Sequence, residues 1–197
     1  MRYFAVSLIA LASLGWWNQH RTNGHERTLG RIASEIAGRP VGVNCQGLPS
    51  AFVDISPRAG EVMFNDDGTP PDETTLKRDT CRYLDRFDEV RSGPSFACVR
   101  RVEPCEPSIG KIASAIRVLA HEAWHLRGIT NEAETECYAL QTTALAARRL
   151  GATPAEARAI ALWNTRHVYP HLPSQYQSGH CRDGGGFDLR RNTPDWP

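Results

Sequence analysis

The stretch from Ile109 to Arg127 constrains this chain more than any other: it is almost wholly apolar at helical spacing, yet titratable residues lie near its end. Ile112, Ile116, Leu119, Ala120 and Ala123 predict a central buried helix, with Ser108 as its N-cap. His121, Glu122 and His125 sit inside that setting, where burial is costly unless each is paired. Positions 121 and 125 are one helical turn apart, so both imidazoles leave one face and can converge on a single ion. H-E-x-x-H of this kind suits zinc. The two histidines bind, and Glu122 beside them is placed to take a proton from a water at the metal's open position. Trp124 points away from the ligand face and is expected in the core.

A catalytic zinc needs a third protein ligand. Gly128 has the character of a C-cap ending the first helix. Asn131 then reads as the N-cap of a second helix, with Glu134 three residues on as in a capping box. Were the helix to run straight on, Glu132 would lie about 10 Å along the axis from His125, too far to share a metal. A reversal at Gly128 to Thr130 instead makes a helical hairpin that brings Glu132 back opposite His125. Glu132 is therefore the expected third ligand. Glu136, one turn later, is the expected acceptor for the outer N–H of a ligand histidine. Glu136 in the ligand place stays open as the alternative.

These residues resemble the H-E-x-x-H zinc metallopeptidases of the gluzincin type. Gly128-x-x-Asn131-Glu132-Ala133 is similar to the thermolysin-like third-ligand motif, with Glu132 in the ligand place and Glu136 in that of its supporting acid. Glu132-x-x-Thr135-Glu136-Cys137-Tyr138-Ala139 resembles the E-x-x-A-N-x-F-A pattern of smaller gluzincins. Only six residues separate His125 from Glu132, a far shorter spacer than in thermolysin. The chain also resembles small exported bacterial proteins carrying HEAxHxxG and EAxTECYAxQ. The resemblance covers residues 110 to 150. A competing alignment, H-E-x-x-H-x-x-G-x-x-N, is the metzincin layout with Asn131 in the ligand place. It ranks second, since a neutral amide is a poor zinc ligand beside available carboxylates.

The 197 residues suit a single domain. A formal net charge of +1 gives no electrostatic case for nucleic acid as a partner. Tyr3 to Trp17 is an apolar run following Arg2, with the form of a secretory signal peptide and Ala10-Leu11-Ala12 as a cleavage site. As a helix it would span about 22 Å, short for a hydrocarbon core of about 30 Å, so an uncleaved N-terminal membrane anchor is the lesser alternative. Six cysteines agree with export and allow up to three disulfides. Cys98 and Cys105 are close enough to clasp a loop, and a bond at Cys137 would brace the helix bearing Glu136.

Elsewhere, His25 to Gly38 has the spacing of a short helix, and Val41–Cys45, Ala51–Ile55 and Glu61–Phe64 read as strands. Asn65 to Gly68 is a turn signal. Glu73 to Val90 reads as a mixed-charge amphipathic helix, and Ser92 to Pro107 as a loop. The second hairpin helix is expected over 132 to 150. A third starts at the textual capping box Thr153-Pro-Ala-Glu156 and runs to about Val168. The end of the chain is rich in Gly, Pro and polar residues. A donor for a developing oxyanion is sought there among His167, Tyr169, His171, Tyr176 and His180, with His167 preferred.

The expected protein is α+β and predominantly helical. The resemblance implies a zincin-like arrangement, a small sheet packed against the H-E-x-x-H helix with a helical hairpin. Residues 1–17 form a signal peptide or anchor, 25–183 a single metallopeptidase domain, and 184–197 a tail. The expected activity is zinc-dependent hydrolysis of peptide bonds in a peptide or protein substrate, by a secreted or cell-envelope enzyme. His121, His125 and Glu132 bind zinc, and Glu122 activates water. The rivals are a non-catalytic zinc-stabilised cell-envelope protein and hydrolysis of a non-peptide amide.

Overall fold

The structure, a computed structural model, describes residues 24–47, 60–193 and 196–197. The chain is α+β and predominantly helical. Its first helix, α1 (residues 24–37), buries Leu29, Ile32, Ala33 and Ile36, the side its apolar spacing marks. Gly38 ends it at φ +73°, a left-handed conformation that favours glycine. Ser34 then ties the next segment back, its hydroxyl accepting from Val41 N at 3.0 Å and donating to the Gly30 carbonyl at 2.7 Å.

Strands β1 (Gly42–Cys45), β2 (Gly60–Glu61) and β3 (Glu73–Leu76) form one sheet in the order β1-β3-β2. β1 runs parallel to β3, with Gly42 opposite Glu73 and Cys45 opposite Leu76. β2 runs antiparallel to β3, with Gly60 opposite Leu76. The expected strand at Ala51–Ile55 lies outside the described residues. That expected at Glu61–Phe64 keeps only Glu61 in β2. The turn at Asn65–Gly68 is present, with Gly68 at φ +79° and Asp67 accepting from both the amide and the hydroxyl of Thr69.

Glu73 to Val90 is not one helix. Thr74 and Leu76 are buried while Glu73 and Thr75 are exposed, so the period is two, and two adjacent β-branched threonines suit a pleated strand. Helix α2 (Arg78–Val90) begins only after Lys77 and buries Cys81, Leu84 and Phe87. A Cys45–Cys81 disulfide fastens β1 to the first turn of α2.

The segment expected as a loop contains a 3-10 turn at Pro94–Phe96 and the short helix α3 (Ala97–Arg100). Phe96 and Val99 provide the reason, being fully buried, with Phe96 edge-on to Phe87 at 5.7 Å. A Cys98–Cys105 disulfide closes the bend that follows.

Helix α4 (Pro107–Leu126) is the central element, starting at Pro107 after Glu106. Ser108 lies within its first turn and caps nothing, since proline at the first helical position sets the start. α4 packs against α2, against β2 and β3, and against the two helices that follow it. Those are α5 (Glu132–Arg149) and α6 (Pro154–His167). The α6 capping box is complete: Thr153 and Glu156 each accept from the other's backbone N–H. Beyond α6, a Cys137–Cys181 disulfide returns the chain to α5. Gln141 holds it there, donating to the Phe187 carbonyl and accepting from Leu189 N, both at 2.8 Å. No helix among the described residues is long and apolar enough to cross a membrane.

Candidate metal centre

The hairpin between α4 and α5 builds the site from backbone geometry upward. Gly128 takes φ +107° and its N–H reaches the His125 carbonyl at 2.8 Å, while Ile129 N–H reaches the Trp124 carbonyl at 3.2 Å. This pair of bonds is a Schellman ending. It sends the chain back after five residues and leaves the Ile129 carbonyl 2.7 Å from Nδ1 of His125. Asn131 then starts α5, its side chain accepting from Glu134 N at 2.9 Å. The capping box is only half made, because Glu134 accepts instead from the Tyr138 hydroxyl at 2.9 Å.

Antiparallel packing turns the one-turn spacings on each helix into two facing rows. Arg117, His121 and His125 lie along α4; Glu136 and Glu132 lie opposite on α5. Oε2 of Glu132 is 3.1 Å from Nε2 of His121 and 3.3 Å from Nε2 of His125, and the two Nε2 atoms are 3.0 Å apart. On the outer side of His121, Oε2 of Glu136 is 3.0 Å from Nδ1 and also accepts from the Arg117 guanidinium.

A carbonyl oxygen can only accept, so Nδ1 of His125 carries a hydrogen; the Glu136 carboxylate requires the same of Nδ1 of His121. In neutral rings both Nε2 atoms are then bare lone pairs, and they converge with a carboxylate oxygen. Three acceptors at hydrogen-bond distance repel unless a proton or a cation lies among them. The spacing also fits an ion: tetrahedral bonds of about 2.05 Å place neighbouring donor atoms ~3.3 Å apart. His121, His125 and Glu132 therefore form a group that could hold a metal ion.

Charge reinforces the geometry. Burial works to lower the pKa of His121, but its hydrogen bonds to Glu132 and Glu136 outweigh it and raise the ring to about 9. The same bonds from His121 and His125 hold Glu132 far below the usual carboxylate range. Burial pushes Glu136 up, yet Arg117 and His121 bring it below its ordinary value. Glu122 is pushed up by burial, against the pull of both histidines. Its carboxylate has no hydrogen-bond partner among the described residues and lies against the backbone of Gly60. A Cβ added there would fall 2.7 Å from Oε1 of Glu122. Strand β2 thus passes directly over the glutamate.

The surroundings differ from expectation in one respect. His167 is not brought to the cluster: its Nε2 lies 3.0 Å from the Val102 carbonyl and its ring packs on Trp163. The reason is the direction of α6, whose last turns lie beside the chain leading into α4. Tyr176, in a 3-10 turn at Ser174–Tyr176, is an aromatic of the C-terminal part that comes near, its ring 5.9 Å from that of His121. Phe64 stands edge-on to His125 at 6.3 Å. Trp124 is buried on the opposite side, against Tyr138 and bonded to Thr142, as expected of a core residue. Arg117 went unread in the sequence, although a cation four residues before His121 on an apolar helix is a legible signal. Nothing in the sequence pointed to Phe64 or Gly60.

Comparisons with protein-family models, with curated proteins and with solved structures return no match.

Proposed function

We propose that the protein is a zinc-dependent metallopeptidase of zincin type. The observation that carries this reading is the convergence of three metal-competent donors beside a buried glutamate that has no hydrogen-bond partner among the described residues. A structural site has no use for that glutamate. When bound, zinc supplies Lewis acidity, bringing the pKa of a water in its open position to about 7 and polarising a carbonyl oxygen.

The chain's own residues account for the rest. Nδ1 of each histidine is held by an acceptor, so each ring presents Nε2 inward. Glu122 takes the proton of the attacking water and passes it to the leaving amine. Burial pushes its pKa up, the direction that helps a carboxylate hold the proton between the two transfers. Tyr176, whose ring lies 5.9 Å from that of His121, takes the place of His167 as the proposed donor to the developing oxyanion. β2 is one of two outer strands of the sheet among the described residues, so an extended peptide can add to it by backbone hydrogen bonds and pass beside Glu122. Three disulfides are compatible with an extracellular location, and secretion or attachment to the cell envelope follows as part of the proposal.

The deciding experiment is elemental analysis of the purified protein, with cleavage of an unfolded polypeptide assayed before and after chelation. One zinc per chain, with chelator-sensitive cleavage restored by zinc, is expected. A protein that takes up no zinc contradicts the proposal at its root. Zinc held tightly without hydrolysis of any peptide points to the non-catalytic, zinc-stabilised reading.

Two further expectations arise from the geometry. Gly60→Ala places a methyl group where Glu122 now lies, so zinc content should hold while cleavage falls by roughly 100-fold, the effect of a misplacement of about 1 Å. Unchanged cleavage would show that Glu122 is free to move. Zinc uptake should also depend on pH. His121, raised from 6.5 to about 9, keeps its proton through neutral pH without metal, and binding must displace it. Apparent affinity should rise roughly tenfold per pH unit from pH 7 and flatten towards pH 9. In the metal-free protein the sign reverses: the stability His121 contributes is full below pH 6.5 and is lost as pH rises through about 9. Competition titrations and metal-free melting curves test the two halves separately.

A further inference from the structure

Arg117 has no part in the chemistry proposed above, yet it is buried on α4 one helical turn before His121. A guanidinium in such a place is costly unless a specific partner holds it. That partner is Glu136, which is itself fully buried and whose Oε2 accepts from Arg117 and lies 3.0 Å from Nδ1 of His121. Nε of Arg117 and Oε1 of Glu136 are also buried, with no hydrogen-bond partner among the described residues. The two side chains are therefore committed to each other and to one ligand ring.

We infer that Arg117 is a positioning residue of the metal centre, holding Glu136 in the orientation that keeps Nδ1 of His121 occupied and its Nε2 turned towards Glu132 and His125. The inference rests on the metal-binding reading of this cluster. A carboxylate held by one imidazole alone can turn about its last torsion, which is broad and shallow. A second donor on the same oxygen, carried by the same helix as the imidazole, removes that freedom. Through-space charge would act in the opposite sense, because a guanidinium beside a cation site repels the cation. Orientation and charge thus predict changes of opposite sign when the guanidinium is removed, and the two are separable.

The test uses the full chain, with zinc affinity from competition against a chromogenic chelator and the visible absorption of the cobalt(II)-loaded protein as readouts. R117M should bind zinc about 10- to 100-fold more weakly, the usual loss for a partner behind a ligand histidine, with an altered cobalt spectrum. R117K should recover most of the affinity, since an ammonium can donate to the same oxygen. R117M/E136Q should bind no more weakly than E136Q alone, because Arg117 acts only through Glu136. Wild-type or tighter binding by R117M overturns the inference. So does a double variant that suffers the full R117M loss on top of that of E136Q. If R117M fails to fold, the comparisons of R117K with wild type and of the double variant with E136Q decide. A wild-type protein that binds neither zinc nor cobalt defeats the metal-centre reading itself, and the inference with it.

Discussion

Replacing Glu122 by Gln is expected to leave zinc content and melting temperature close to those of the wild type and to reduce peptide cleavage by about 10²- to 10⁴-fold, the range for loss of a general base. The substitution keeps the shape of the side chain, so Gly60 can lie against it as before. Burial already disfavours the charged form of Glu122, so a neutral amide costs little in its place. The amide cannot accept and return a proton. Elemental analysis and turnover on the same preparation make the measurement. A fully active variant would remove Glu122 from the mechanism.

Glu132 and Glu136 stand one turn apart on α5, and their alanine variants should fail in different ways. Glu132 is 40% exposed, so Glu132→Ala should change metal-free stability by no more than about 1 kcal/mol while abolishing stoichiometric zinc. Glu136 is fully buried, and its removal strands the Arg117 charge. Breaking a buried pair from one side costs about 3–5 kcal/mol, which in a chain of this size lowers the melting temperature by roughly 10 °C. Melting curves in the presence of chelator, with zinc titrations on the folded fraction, separate the two effects. Equal destabilisation by both variants would mean that the two carboxylates are not partitioned between ion and ligand ring in this way.

The placement of the two carboxylates was legible in part from spacing, with Glu136 left open in the ligand place. His121 and His125 at one-turn spacing, Gly128 as the reversal and Asn131 as the cap together put Glu132 inward and Glu136 behind it. Such features are local, each depending on a few neighbouring residues. Failures came where the deciding contact is distant in sequence. Glu73 to Leu76 looked helical because the charged residues after it continue at helical period, and only pairing with β1 and β2 makes it a strand. His167 looked well placed at a helix end, but the direction of α6 carries it to Val102. Tyr176 reaches His121 through the fold of the C-terminal segment, which leaves no periodic trace. Pro94 and its neighbours suggested a loop, whereas burial of Phe96 and Val99 winds them into short helical turns.

The hairpin has a bearing on the order in which the molecule is assembled. Arg117, His121, His125, Glu132 and Glu136 all lie within one short stretch of chain, closed by a tight turn. Contacts so close in sequence have little loop entropy to overcome and form early. Tyr176 and the bond from Cys137 to Cys181 join this stretch across a much longer span, and β2 approaches it from the other end of the chain. A nascent chain can therefore pair these two helices before the C-terminal segment that carries Tyr176 and Cys181 is in place. On the proposed function, binding of the ion would then precede closure of the C-terminal segment by the Cys137–Cys181 bond.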